Sequence, residues 1–207
     1  MKTTKTPFKI LAASDLHGDR KLVKELAEQA EEENVDLVVL CGDLTYFEEG
    51  HEGMIGPFLA KGKRVIFVPG NHESLATADF LAKKYGIKNL HGYSTKYEHV
   101  GFFGVGGANI GLHQISDQEA YNLLKQSHVY VKDAEKRVLV SHVHPAGSKM
   151  ERFTSFFKGS KGLRRAIDAF QPDVMLCGHV HEAEGIEEMI GKTRVINVCK
   201  KGKIIEL

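Results

Sequence analysis

Short apolar runs alternate with amphipathic stretches along most of the chain. Phe8–Ala13 (FKILAA) predicts a first strand. Asp19 to Glu33 predicts a helix, with Leu22, Val23, Leu26, Ala27 and Ala30 on one face and acids on the other. Asp36–Cys41 (DLVVLC) is apolar almost throughout, the pattern of a strand buried on both faces. Arg64–Val68 repeats it and ends in Pro69-Gly70. Ser74–Tyr85 predicts a helix, Tyr93–His99 and Gly101–Val105 a pair of strands, and Ser116–Ser127 another helix. Arg137–Val140 and Asp173–Cys177 are further buried strands, flanking a helix at Ser160–Phe170 that Gln171-Pro172 stops. Gly185–Leu207 reads as three short strands. Helices and strands alternate early and strands cluster late, which predicts an α/β layout with sheet packed on sheet. No linker or repeat divides residues 1–207, so one domain is expected.

The polar residues at the strand ends change this picture most. The first strand runs into Asp15-Leu16-His17, the second into Gly42-Asp43 and the third into Gly70-Asn71-His72-Glu73. The later strands run into Ser141-His142-Val143-His144 and Gly178-His179-Val180-His181. Ligands of open α/β sheets bind outside the carboxyl ends of strands. In a chain of this composition D-x-H arises by chance roughly 0.5 times, but G-H-x-H only roughly 0.06 times and G-N-H roughly 0.03 times. Surface histidines and capping aspartates do not account for the set.

Composition sets limits around that site. Lys+Arg is 28 against Asp+Glu 27, a net charge of +1, so no broad nucleic-acid footprint or acidic tail is expected. The chain holds 11 histidines and no tryptophan. Cys41, Cys177 and Cys199 are too few and too far apart for a disulfide framework or a thiolate metal site. They read as reduced thiols in a cytoplasmic protein. No apolar run suits a membrane span, and the short Ile10–Ala13 stretch is no signal-peptide core.

Carboxylate, imidazole and amide donors suit manganese, iron, zinc, cobalt or nickel. Two such ions about 3.5–4 Å apart clamp the attacking and leaving oxygens of an in-line displacement and produce hydroxide at neutral pH. Their charge outweighs two aspartates and one hydroxide, so a neutral chain still attracts a phosphate ester.

The ordered set D-x-H, G-D, G-N-H-E, H and G-H-x-H resembles the calcineurin-like metallophosphoesterases, in particular their small archaeal and bacterial members. The likeness runs from Asp15 to His181 and extends to Gly159-Ser160. It implies a four-layer αββα sandwich of two mixed β-sheets flanked by helices. It also implies a dinuclear metal centre whose bridging hydroxide attacks phosphorus. Asp15, His17 and His181 would hold one ion, and Asn71, His142 and His179 the other. Asp43 would bridge them, one oxygen to each. Two divalent ions are implied, manganese first. His72 would assist the leaving oxygen as catalytic group beside Asp43. Glu73 would either orient His72 or complement the dipole of the next helix. His144 reads as a loop histidine near the rim.

Asn71 and Ser160 are the candidate substrate contacts. Ser160 opens a helix whose free N–H groups suit an anion, although a Ser N-cap is the simpler account of it. Arg20, Lys149 and Arg152 read as solvated charges, and His51, His91, His99, His113 and His128 as surface residues. Asn109 follows a glycine-rich turn. The expected activity is phosphodiester hydrolysis on a small phosphate ester. Two alternatives remain. One is a nuclease using Lys149, Arg152, Lys158, Lys161, Arg164 and Arg165 with Phe153, Phe156 and Phe157; the plainer reading of residues 145–159 is a mobile lid. The other is a non-catalytic binding module of the same fold.

Overall fold

The computed structural model describes residues 7–111 and 113–207. Residues 1–6 lie outside them. One mixed sheet holds β1 (Lys9–Ala13), β2 (Leu37–Cys41), β3 (Arg64–Val68), β4 (Lys88–Asn89) and β11 (Lys203–Glu206), in the order β11-β1-β2-β3-β4. The other holds β5 (Ser94–Tyr97), β6 (Val100–Val105), β7 (Lys136–Ser141), β8 (Val174–Cys177), β9 (Glu187–Ile190) and β10 (Thr193–Asn197), in the order β5-β6-β7-β8-β10-β9. β1 to β4 run parallel, as do β6, β7, β8 and β10. The antiparallel strands β11, β5 and β9 sit at the edges.

Three apolar layers hold the sandwich together. Ile10, Val39, Ile66, Phe102, Val140 and Leu176 fill the space between the sheets. The neighbouring residues of the same strands face outward, because side chains alternate along a strand. Leu11, Val38, Leu40 and Phe67 meet α1 (Arg20–Glu32), α2 (Gly56–Ala60) and α3 (Leu75–Tyr85). Phe103, Leu139, Met175 and Val195 meet α4 (Asp117–His128) and α5 (Lys161–Phe170). Strands buried on both faces explain the near-continuous apolar runs. Truncating the fully buried Phe102 to Ala would cost about 3–5 kcal/mol.

Side-chain caps set the helix starts. Asp19 accepts from Lys21 N and Leu22 N, and Ser74, Ser116 and Ser160 accept from the backbone N–H three residues on. Each such cap contributes about 1 kcal/mol. Parallel strands joined by helices send their carboxyl ends to one edge, so the polar strand ends gather there. Periodicity missed α2 and β4, which are short, and a 3-10 turn at Lys149–Phe153. No helix of the described residues is long and apolar enough to cross a membrane.

Candidate metal centre

The strand-end loops are sewn together across both sheets. Asp15 N donates to Gly42 O (3.0 Å), His17 N to Asp43 O (2.9 Å) and Gly178 N to His142 O (2.8 Å). Asp15, His17, Asp43 and His179 all have positive φ, at 59°, 45°, 51° and 69°. Asp and His tolerate that region better than most residues, and holding it costs about 1–3 kcal/mol each. A Cβ on Gly70 would collide with the Asp43 carboxylate, and one on Gly178 with Ser14 Oγ and Asp15 Oδ2. The glycines of G-N-H and G-H-x-H therefore make room for the two carboxylates.

Each aspartate spends one oxygen on the fold and aims the other into the site. Asp15 Oδ2 accepts from His179 N (2.9 Å) and from Cys199 Sγ (3.1 Å). Its Oδ1 lies 3.1 Å from His181 Nε2 and 3.8 Å from His17 Nε2. Asp43 Oδ1 accepts from His72 N (3.0 Å). Its Oδ2 lies 3.3 Å from His142 Nε2, 3.8 Å from His72 Nε2 and 3.9 Å from His17 Nε2. His142 Nε2 is also 3.2 Å from Asn71 Oδ1 and 3.1 Å from His179 Nδ1. Three overlapping donor groups result: Asp15, His17 and His181; Asp43, His142 and His179, with Asn71 beside it; and, linking these two, His17, Asp43 and His72. The expectation that Asp43 offers one oxygen to each ion needs correction. Oδ1 is held by the His72 amide, so Oδ2 alone faces the first two groups.

The donor set fits divalent metal. His142 Nδ1 donates to Cys41 O (2.9 Å), which in the neutral ring leaves Nε2 as a lone pair. That lone pair faces an amide oxygen and a carboxylate oxygen, an arrangement that only a cation or a proton makes favourable. Without metal the protons respond to this. Burial works against charge on His142, but Asp43 and Asp15 raise its pKa. Burial and the His142 charge lower that of His179. Burial also opposes ionised Asp15 and Asp43, yet His181 and His142 hold the first low and His142 the second. His17 Nδ1 and His179 Nε2 are buried without a hydrogen-bond partner.

A family model for the calcineurin-like phosphoesterases matches residues 8–183. The chain belongs to the calcineurin-like phosphoesterase family. The uncharacterized protein MJ1162 of Methanocaldococcus jannaschii is 31% identical over 210 residues, covering 96% of this chain and 91% of that protein. The crystal structure of TT1561 of Thermus thermophilus superposes with a TM-score of 0.75 at 20% identity, over 93% of this chain and 89% of that one. An archaeal phosphodiesterase superposes at 0.55 and 18% identity, over 96% and 99%. At these identities the two structures bear on the fold alone, and this phosphoesterase shares it.

His72 is half-buried and shares the third group with His17 and Asp43, its Nε2 3.8 Å from Asp43 Oδ2. Phe47 N donates to its Nδ1 (3.1 Å), so the proton of the neutral ring sits on Nε2. Glu73 does neither task expected of it. It makes no bond to the His72 ring and precedes α3. Its buried carboxylate instead accepts from Asp43 N (3.1 Å), Thr45 N (2.7 Å), Thr45 Oγ1 (2.8 Å) and Gly70 N (2.8 Å), tying two motif loops together.

Other expectations need correction as well. Ser160 is not among the residues lining the cavity over the metal ligands. Its Oγ accepts from Leu163 N (3.2 Å) and donates to Asp117 Oδ1 (2.6 Å), so capping uses it fully. His144 is fully buried rather than at the rim, and both its ring nitrogens lack partners. Within residues 145–159, Glu151 accepts from Gly147 N and Gly159 N, and the Phe157 ring packs against His179 edge-on at 4.7 Å. Asn109 Nδ2 ties to Lys158 O (2.8 Å). Arg164 pairs with Asp168 and Arg165 covers the Tyr121 ring at 3.8 Å, so these two are committed away from a nucleic-acid track. His91 and His128 are partly buried, the latter stacked on Phe170 at 4.6 Å.

Two supporting roles at the site have no counterpart in the sequence reading. Asn197 Nδ2 donates to Val180 O (3.0 Å) and its Oδ1 accepts from Cys199 N (3.0 Å), fixing the G-H-V-H loop. Cys199 then reaches Asp15. Asn197 ends β10 and Cys199 follows it, so the strand-end rule that found the histidines would have found them too.

Proposed function

We propose that this chain, as one domain over residues 1–207, is a phosphodiesterase working with two divalent ions. Asp15, His17 and His181 would hold one, Asn71, His142 and His179 the other, and Asp43 would serve both. The observation that carries this reading is the position of Asp43 Oδ2 between the two donor groups, at 3.3 Å from His142 and 3.9 Å from His17. When bound, the ions supply a water-derived nucleophile at neutral pH and neutralise the phosphoryl oxygens. Manganese is the ion to test first: carboxylate, imidazole and amide donors suit it, as they suit iron, zinc, cobalt or nickel. Three buried free cysteines support a reducing compartment such as the cytoplasm.

The chain's own groups do the rest. His72 Nε2–H, fixed by the Phe47 amide, donates to the leaving oxygen as charge develops there. Asp43 Oδ1 holds the His72 backbone, which keeps donor and ligands in one frame. Asn71 meets ion and phosphate together. A cavity of about 540 Å³ opens above these residues. Its described lining contains no Lys or Arg, while Glu182 adds a carboxylate at the edge. A monoanionic diester suits that lining better than a dianionic monoester or a polyphosphate.

The test compares bis(para-nitrophenyl) phosphate with para-nitrophenyl phosphate on manganese-loaded protein. The diester should turn over with the higher kcat/KM. His72→Ala should lower kcat by about 10²–10⁴-fold while the metal content stays unchanged. No diester turnover by folded, metal-loaded protein sinks the proposal, and so does full activity in His72→Ala.

A further inference from the structure

Two large aromatic side chains stand open to water at the mouth of the site. Tyr46 is 58% exposed and Phe47 47% exposed, and both line the cavity. They are not loose. Tyr46 N donates to Glu49 O, Glu49 N to Tyr46 O, and Glu48 N to His72 O (3.0 Å). The Phe47 amide is bound to the His72 ring (3.1 Å). The Phe47 ring lies against His72 with centroids 4.1 Å apart and planes 33° apart. Tyr46 meets Phe47 edge-on at 4.8 Å and lies 5.5 Å from His72. Single exposed aromatics need no explanation. Two adjacent ones, packed against the proposed proton donor, are a preorganised surface.

Ile110 and Phe157 add further apolar lining to the cavity. Polar chemistry is confined to the floor and to Glu182. No Lys or Arg in the described lining would hold a second phosphate or a carboxylate on the ester group. A flat, uncharged ring meets both conditions. It stacks on an exposed aromatic face and asks for no counter-charge.

We propose that Tyr46 and Phe47 are specificity-determining residues that bind the ring of an aryl or nucleoside ester group, so that the site takes ring-bearing phosphodiesters. This rests on the phosphodiesterase reading above. The ring sits beside His72, which places it within reach of the ester oxygen that His72 protonates.

The test reads binding, which does not require turnover. The probes are the phenyl, cyclohexyl and thymidine esters of methylphosphonic acid, each a monoanion shaped like a phosphodiester. Their affinities for the manganese-loaded protein are measured by calorimetry. Phenyl and cyclohexyl are both apolar six-membered rings, but only phenyl is flat and aromatic. The phenyl ester should bind roughly 2- to 10-fold tighter than the cyclohexyl ester. Tyr46→Leu and Phe47→Leu should each shrink that ratio, and the double variant should bring it to about one. A thymidine ester that shares the gain identifies a nucleoside as the source of the ring. A gain confined to phenyl identifies a small aryl ester. Equal phenyl and cyclohexyl affinities in the wild type overturn the proposal, as does a ratio that survives the double substitution. Ring preference without any diester turnover would instead sink the phosphodiesterase reading and leave the aromatic wall standing.

Discussion

Replacing Glu73 tests whether the site is held together by its buried carboxylate. Glu73 Oε2 accepts from Asp43 N and Gly70 N, and Oε1 from Thr45 N and Thr45 Oγ1. Glu73→Ala would strand three buried backbone N–H groups. At about 1–3 kcal/mol for each orphaned donor, the loss is comparable with the whole stability of a typical domain. Glu73→Gln is the useful variant. Its carbonyl oxygen keeps Asp43 N and Gly70 N, and its amide turns toward Thr45. There the hydroxyl can rotate to accept, so only Thr45 N is left unpaired. One orphan costs about 2 kcal/mol. For a chain of this size that is a melting point lower by about 4–8 °C. The assay is thermal unfolding of chelator-treated protein, so that metal linkage does not mask the effect. A carboxylate that served only to turn His72 would leave the melting point unchanged and lower activity alone. A Glu73→Gln protein melting within about 1 °C of wild type would refute the reasoning.

Cys199 should tune metal binding through Asp15. Its thiol donates to Asp15 Oδ2 at 3.1 Å, and such supporting bonds are worth about 10–100-fold in metal affinity. Cys199→Ala should therefore weaken manganese binding by about tenfold in chelator competition, with Cys199→Ser restoring most of it; equal affinities in all three proteins would remove Cys199 from the account. His128 should contribute to acid lability. Burial and the charges of Arg137 and Lys132 lower its folded pKa below 6.5. The unfolded chain then takes up the proton more readily, so the stability is complete above the unfolded value and falls as pH drops through 6.5 toward the folded value. Urea midpoints should decline over that window, and less steeply in His128→Gln; parallel slopes would contradict this.

The fold was legible because burial on both faces leaves a mark. β2, β3 and β8 are apolar at nearly every position and β7 at its centre, and their boundaries lie within one residue of expectation. Short or irregular elements leave no such mark, which is why α2, β4 and the Lys149–Phe153 turn went unread. In the site, residue types that only chemistry explains stood out at the strand ends. Roles settled by direction did not. Spacing cannot say that the His72 amide occupies Asp43 Oδ1, or that Glu73 points back toward Gly70 rather than at His72. His144 shows the same limit: it reads as a loop histidine near the rim, but the sequence does not report that it is fully buried. Tyr46 and Phe47 were passed over because an aromatic in a loop has no period to betray it.

The central claim is that the single Asp43 carboxylate serves two metal positions. Calorimetric titration of chelator-stripped protein with manganese tests it most directly. Two ions should bind per chain, His181→Ala should weaken one of them and His142→Ala the other, and Asp43→Ala should weaken both. A single ion in the wild type, or an Asp43→Ala protein that keeps one ion at full affinity, would contradict the account.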